Sequence, residues 1–285
     1  PENRAKAYSL SYLGWNIGFA VGPIFGGFLY RRYLPLVFIG DAATALIATG
    51  LIYFFINETI GSTENDITDE SRKLERREKG SIISVLLRRP ILVYFSIIAL
   101  GYEFSYSQWN FMMPLHSIKN FGEMGAQYFG WMASFNGLVV MLFTPILTRL
   151  TRKTRSIRIM VHGILLYAIG FGMLGLIYKL QYFFVSILIF TLGEVLLTIS
   201  VMPFIVNHTP ASHRGRMSAV LTTIAGTGYT VGPMAMGRIL NFISIEKAWI
   251  FIGIFTAMTA VLMFGLEKYE DRENTKREKA GSAII

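Results

Sequence analysis

Near the start of the chain stands Gly18-Phe19-Ala20-Val21-Gly22-Pro23-Ile24-Phe25-Gly26-Gly27, and 210 residues later stands Gly228-Tyr229-Thr230-Val231-Gly232-Pro233 with Gly237 beyond it. At that one offset Gly18, Val21, Gly22, Pro23 and Gly27 meet Gly228, Val231, Gly232, Pro233 and Gly237, while Arg4 and Lys6 meet Arg214 and Arg216. A second echo follows at 213 residues, where Phe38-Ile39-Gly40 meets Phe251-Ile252-Gly253. Self-similarity at a fixed distance marks a repeated structural unit, and it has to be read before any single segment is assigned.

The surroundings of the two copies say what the unit is. Of 285 residues, 53% are hydrophobic and only 16% are charged, and cysteine is absent. A soluble domain carries about 25% charged residues. The apolar excess is gathered into eight stretches, 9–30, 35–56, 91–115, 127–148, 159–178, 182–206, 217–240 and 247–266. Each has the roughly 20 residues that cross a hydrocarbon core of about 30 Å. Backbone groups in lipid must bond within their own segment, so these stretches are expected to be helices. The alternating ten-residue segments of a membrane barrel are not seen. A soluble globular enzyme, a disordered chain and a disulfide scaffold are excluded.

The net charge of +9 reads as topology. Segments 1–8, 57–90, 149–158, 207–216 and 267–285 hold 21 of the 27 lysines and arginines; the opposite set holds Arg31, Arg32, Lys119, Lys179, Arg238 and Lys247. The positive-inside rule places the first set, and both ends of the chain, in the cytoplasm of a plasma (inner) membrane protein. No basic patch is paired with a recognition fold, so no nucleic-acid partner is expected. The mixed-charge segment 57–90 reads as a solvated cytoplasmic linker. It separates a partial first half, 1–56, from a six-helix half, 91–266. A charged cytoplasmic tail, 267–285, is expected to fray beyond Glu267.

The glycines define a helix face. Gly14, Gly18, Gly22 and Gly26 are four apart, and four residues turn a helix by about 400°, so they form one drifting stripe beside Pro23 and Gly27. Such a stripe admits a second backbone, either as a packing seam or as a seam at which helices rock. The repeated copy, Gly228, Gly232 and Pro233, is expected to do the same.

Gly18 to Gly27 resembles the fifth-helix signature of the major facilitator superfamily, G-x-x-x-G-P-x-x-G-G. The lead-in Arg4-Ala5-Lys6-Ala7, the weaker copy after Arg214-Gly215-Arg216, and Thr191-Leu192-Gly193-Glu194 resemble other parts of that family. The resemblance implies an all-α integral membrane protein, a two-half helical bundle whose present helices match the fifth to the twelfth. It also implies a proton-coupled, drug-antiporter-like carrier, a multidrug efflux protein that is monomeric when complete. On the repeat logic, four helices are expected upstream, and the start at Pro1 fits that expectation. The loop Arg149-Leu150-Thr151-Arg152-Lys153-Thr154-Arg155 keeps the basic charge of a family loop signature but lacks its glycine and aspartate.

Of the 18 acidic residues only Asp41, Glu103 and Glu194 lie inside a span. A carboxylate at mid-membrane costs a few kcal/mol and is expected to face a cavity or a partner. Low dielectric disfavours its charged form, which suits a group that must load and unload protons. Glu103 and Glu194 are therefore the candidate proton or cation sites. Each could instead be a neutral packing group. Asp41 lies nearer a span end, where snorkelling or a structural bond is expected.

Helical spacing places Tyr106, Ser107 and Asn110 on the Glu103 side, with Tyr102 and Trp109 at its edge, and Thr191 and Thr198 on the Glu194 side. With Gln108, Asn136, Tyr12 and Asn16 they are the candidate groups of a substrate cavity, each able instead to bond a neighbouring helix. Tyr30, Tyr33 and Tyr178 at span ends suit the interfacial belt. The four histidines show no metal-ligand spacing, and no phosphate-binding glycine loop occurs, so no metal, cofactor or ATP is expected. The expected partners are a small amphipathic substrate, protons and the lipid bilayer. The alternatives are a proton-coupled uptake symporter for a sugar, peptide or organic ion, and a non-transporting membrane sensor or assembly protein.

Overall fold

A computed structural model describes residues 14, 18, 21–22, 25–29, 33–55, 86–87, 89–209 and 213–282, the side chains of 274 and 276–282 excepted. Tyr12, Asn16, Pro23, Tyr30 and nearly all of the linker 57–90 lie outside the described residues. Among those described are seven long helices: α1 (Leu34–Phe55), α2 (Pro90–Phe121), α3 (Gly125–Thr151), α4 (Ser156–Met173), α5 (Leu180–His208), α6 (Arg214–Ile239) and α7 (Ile245–Ser282). Residues 25–29 are helical as well, and no strand occurs among the described residues.

Five helical stretches are long and apolar enough to cross a membrane, α2 and α3 forming one stretch of 62 residues. The membrane assignment therefore stands on length and composition. α6 is not among them, because glycine, serine and threonine dilute its apolar side chains. Its threonines instead return their hydroxyls to their own helix, as Thr223 does to the Ala219 carbonyl at 2.8 Å and Thr230 to the Gly226 carbonyl at 3.0 Å. That satisfies them without water.

Two boundaries differ from the sequence reading for a visible reason. The connection expected over 116–126 shrinks to a 3-10 turn, Gly122–Met124. Gly122, at φ 55°, closes α2 by donating its N–H to the Ile118 carbonyl, and the Ser117 hydroxyl donates to the Gly125 carbonyl at 2.7 Å. Positive φ comes at little steric cost only to glycine. The tail does not fray at Glu267 either, since α7 runs to Ser282. Its first charged turns are held from outside: Arg158 meets the buried Glu267 at 2.7 Å, Arg155 binds Glu270 and Asp271, and His208 lies 2.9 Å from Glu270. Arg89, at the start of α2, joins them through the His208 carbonyl at 2.6 Å. Charges in register with a helix extension keep it wound where the sequence alone reads as solvated tail.

α2 to α7 pack as one bundle, with α4 in its most extensive contacts with α5 and α7, and α2 with α6 and α7. Small residues make the crossings. A Cβ on Gly193 would lie 2.5 Å from the Gly163 carbonyl, and one on Gly253 would lie 2.5 Å from the Gly172 Cα. Between these crossings the buried rings interleave: Phe171 stacks on Phe190 at 4.9 Å and on Trp249 at 5.9 Å, and Trp109 meets Phe190 at 5.0 Å. α1 stands apart. It has no buried residue, and Leu46 is 73% exposed.

Candidate functional site

The bundle opens on a polar face of α2. Glu103, Tyr106 and Asn110 are spaced three and four apart, so they share one side of the helix, and all three stay outside its buried face. α3, α4, α5 and α6 each bring a group toward them. Tyr106 donates its hydroxyl to Glu194 Oε1 of α5 at 2.8 Å. Asn136 of α3 donates Nδ2 to Glu194 Oε2 at 2.9 Å and to the Thr191 hydroxyl at 2.8 Å. Tyr167 of α4 stacks on Tyr106 at 5.7 Å, its ring plane tilted by 8°. Tyr229 of α6 lies 6.3 Å from Tyr106 and accepts a hydrogen bond from Asn110 Nδ2 at 3.0 Å.

Glu103 lines a cavity of about 420 Å³ with Tyr102, Tyr229, Thr222, Thr230 and apolar groups of α2, α5 and α6. Tyr229, which lines this cavity, lies beside the Tyr106 that binds Glu194. Among the described residues neither acid has a basic partner within salt-bridge distance. Glu194 is therefore held by neutral donors, and Glu103 faces the cavity. One acceptor beside Glu194 is unused: Asn136 Oδ1 is buried and has no partner among the described residues. A buried carboxylate satisfied by a phenol and an amide is stable as a structure, yet it remains open to taking a proton or a cation.

Not every residue singled out from the sequence reaches this site. Trp109 is fully buried between Phe129, at 5.6 Å, and Phe190, so it belongs to the packed core and not to a cavity. Gln108 and Ser107 are buried at the α2–α6 crossing, where Gln108 Nε2 donates to the Phe104 carbonyl and the Ser107 hydroxyl, both at 3.0 Å. Thr198 is exposed, one turn beyond Glu194. Tyr102 is buried but lines the cavity wall. Tyr167 and Tyr229 were not singled out. Their signal is their position at mid-span, unlike the tyrosines at span ends.

The glycine copies also differ. A Cβ on Gly232 would meet Gln108 Nε2 at 2.7 Å and the Phe104 carbonyl at 3.1 Å, and Gly228 lies against the Leu100 carbonyl. So Gly228 and Gly232, beside Pro233, form the close seam of α6 with α2. At Gly14, Gly18, Gly22 and Gly26 no described atom lies within 4 Å of an added Cβ. The expected seam on that stripe is not formed among the described residues. The near approach falls on Gly27, 2.8 Å from the Ala126 carbonyl at the start of α3, because Gly27 points about 100° away from Gly26.

The sequence model of the Major Facilitator Superfamily matches residues 1–177 and 122–285, which together cover the chain. The chain is similar to the uncharacterized MFS-type transporter YttB of Bacillus subtilis, 24% identical over 250 residues, covering 86% of this chain and 60% of that protein. It is also similar to a Na(+), Li(+), K(+)/H(+) antiporter of Planococcus maritimus, 23% identical over 254 residues, covering 82% of this chain and 58% of that protein. Among solved structures, a POT family transporter in complex with a thioalcohol-conjugated peptide superimposes with a TM-score of 0.58 at 14% identity, over 84% of this chain and 54% of that one. The chain thus spans little more than half the length of the relatives it matches.

Proposed function

The chain belongs to the Major Facilitator Superfamily, and from that premise we propose that the protein is a secondary active transporter that moves small amphipathic molecules outward in exchange for protons. The observation that carries this reading is the Glu194 carboxyl, held by Tyr106 and Asn136 with no basic partner among the described residues. A carboxylate fixed by an arginine would be pinned in its charged form. One fixed by a phenol and an amide can exchange a proton for a cationic group.

The residues supply a route for that exchange. A proton arriving on Glu194 Oε2 faces the Asn136 amide, which is already a donor. Turning that amide brings the unused Oδ1 to accept the new O–H, so the protonated state is also satisfied. The turn withdraws Nδ2 from Thr191 and changes the link between α3 and α5. A cationic substrate entering the adjoining cavity at Glu103, with the Tyr102 and Tyr229 rings at hand, then competes with that proton and displaces it. In this reading the two halves of the complete carrier rock about the acids, in a plasma membrane with both ends of this chain cytoplasmic.

The test is extrusion of ethidium from vesicles holding the purified full-length protein under an imposed pH gradient. The expected result is gradient-driven extrusion that falls at least tenfold in Glu194→Gln. Flux that ignores the gradient, or survives in the Glu194→Gln, Glu103→Gln double variant, overturns the proton role. A second reading, exchange of monovalent metal cations for protons, is favoured by the name of the Planococcus relative and by the carboxylate, amide and hydroxyl oxygens gathered at Glu194. Proton efflux elicited by external sodium or potassium, and not by ethidium, would select it.

A further inference from the structure

Two apolar hollows run end to end along the seam of α2 and α7. One, of about 430 Å³, reaches Phe104 and Phe255, and the other, also about 430 Å³, reaches Tyr94 and Tyr269. Ile97, Ile98 and Leu262 wall both, so the hollows form one groove. Along α7 it extends from Phe255 to Tyr269, about 21 Å at 1.5 Å per residue. That is half of a bilayer about 40–45 Å thick, the reach of one lipid from headgroup to chain end.

The groove offers nothing to a polar ligand. Thr227 and Thr259 turn their hydroxyls to the Ile224 carbonyl at 2.6 Å and the Phe255 carbonyl at 3.0 Å. It also lies on another side of α2 from Glu103, Tyr106 and Asn110, since positions 94, 97 and 101 fall about 120° or more around the helix from them and Phe104 about 100° from Glu103. A segment that completes the polar cavity would therefore meet the other face of α2 and leave the groove to the bilayer.

One end of the groove is built differently. Tyr94 and Tyr269 close it edge to face at 6.1 Å, as tyrosines do at a headgroup level. One turn past Tyr269 stands Arg272, exposed, and next to Tyr269 in the chain is the exposed Lys268, 5.1 Å over the Phe264 ring. Cations at an interface draw anionic headgroups.

We propose that the α2–α7 groove holds one acyl chain of an anionic phospholipid, whose phosphate rests at Arg272 and Lys268. The chain end lies against Phe104 and Phe255, and the ester region lies over the Tyr94–Tyr269 pair. Gly265 forms part of the wall and has open space in front of it, so a larger side chain there blocks the groove without disturbing the bundle.

The protein is reconstituted in vesicles of equal phosphatidylglycerol and phosphatidylcholine, extracted in mild detergent, and its retained lipid is counted by native mass spectrometry. The wild type is expected to keep one phosphatidylglycerol, favoured at least fivefold over phosphatidylcholine. Gly265→Phe is expected to lower retention at least fivefold at an unchanged melting temperature. Lys268→Gln with Arg272→Gln is expected to keep a lipid but lose the preference. A photoreactive group at the chain terminus is expected to label peptides containing Phe104 or Phe255. Equal retention by Gly265→Phe and wild type, no headgroup preference in the wild type, or labelling confined to other helices would each overturn the proposal. A protein segment covering the groove would appear as a wild type that retains and labels nothing, which overturns it as well.

Discussion

The two copies of the repeat share their sequence and differ in their surroundings. In the second copy Gly228 and Gly232 press α6 onto α2, and Gly253 meets Gly172 at the α4–α7 crossing. Their counterparts Gly18, Gly22 and Gly40 have no described atom within 4 Å of an added Cβ. The same contrast holds for the larger residues, Ile252 being fully buried and Ile39 being 61% exposed. A glycine stripe therefore permits a close helix crossing without creating one. The free energy comes from the backbone that arrives opposite it, which in the second copy is supplied by this chain's own helices.

Matched substitutions in the two copies sharpen this contrast. Gly232→Leu drives a side chain into Gln108 and the Phe104 carbonyl and is expected to destabilise the bundle by at least ~3 kcal/mol in denaturant unfolding, whereas Gly22→Leu leaves it unchanged. Equal losses at both positions would mean that the first copy is packed after all.

The acids make the next pair. Glu194→Leu leaves the Tyr106 hydroxyl and one bond of the Asn136 amide unpaired, at about 1–3 kcal/mol each. Asp41→Leu, on the exposed α1, is expected to be silent in the same unfolding measurement. Gly253→Ala comes third, with an expected loss of about 1–2 kcal/mol against a slight gain for Gly40→Ala from helix propensity. Arg158→Gln, which uncouples the α7 extension, is smaller still. Arg158 is half exposed, so the loss is expected to stay under about 1 kcal/mol and to shrink with added salt.

Much of this molecule was legible in its sequence, but unevenly. The helical class, the two acids within spans, and the spans from 35–56 onward other than 217–240 follow from composition and the cost of burying charge. Proximity in sequence also placed Glu103, Tyr106 and Asn110 together. Spacing on one helix does not say what faces it, however. Trp109 and Gln108 looked like cavity edges and are core and seam, because Phe129, Phe190 and Gly232 approach that side from α3, α5 and α6. The Tyr167 stack and the ties of Arg155 and Arg158 to α7 join residues 61 to 116 positions apart, where no local pattern reaches.

In the proposed exchange the Glu194–Glu103 cluster holds either a proton or a cationic substrate. Adding ethidium to the purified full-length protein in weakly buffered detergent solution tests this directly with a pH electrode. The wild type is expected to release a proton on binding and the Glu194→Gln, Glu103→Gln double variant none. Undiminished release by the double variant, or ethidium binding to the wild type without release, would contradict the exchange.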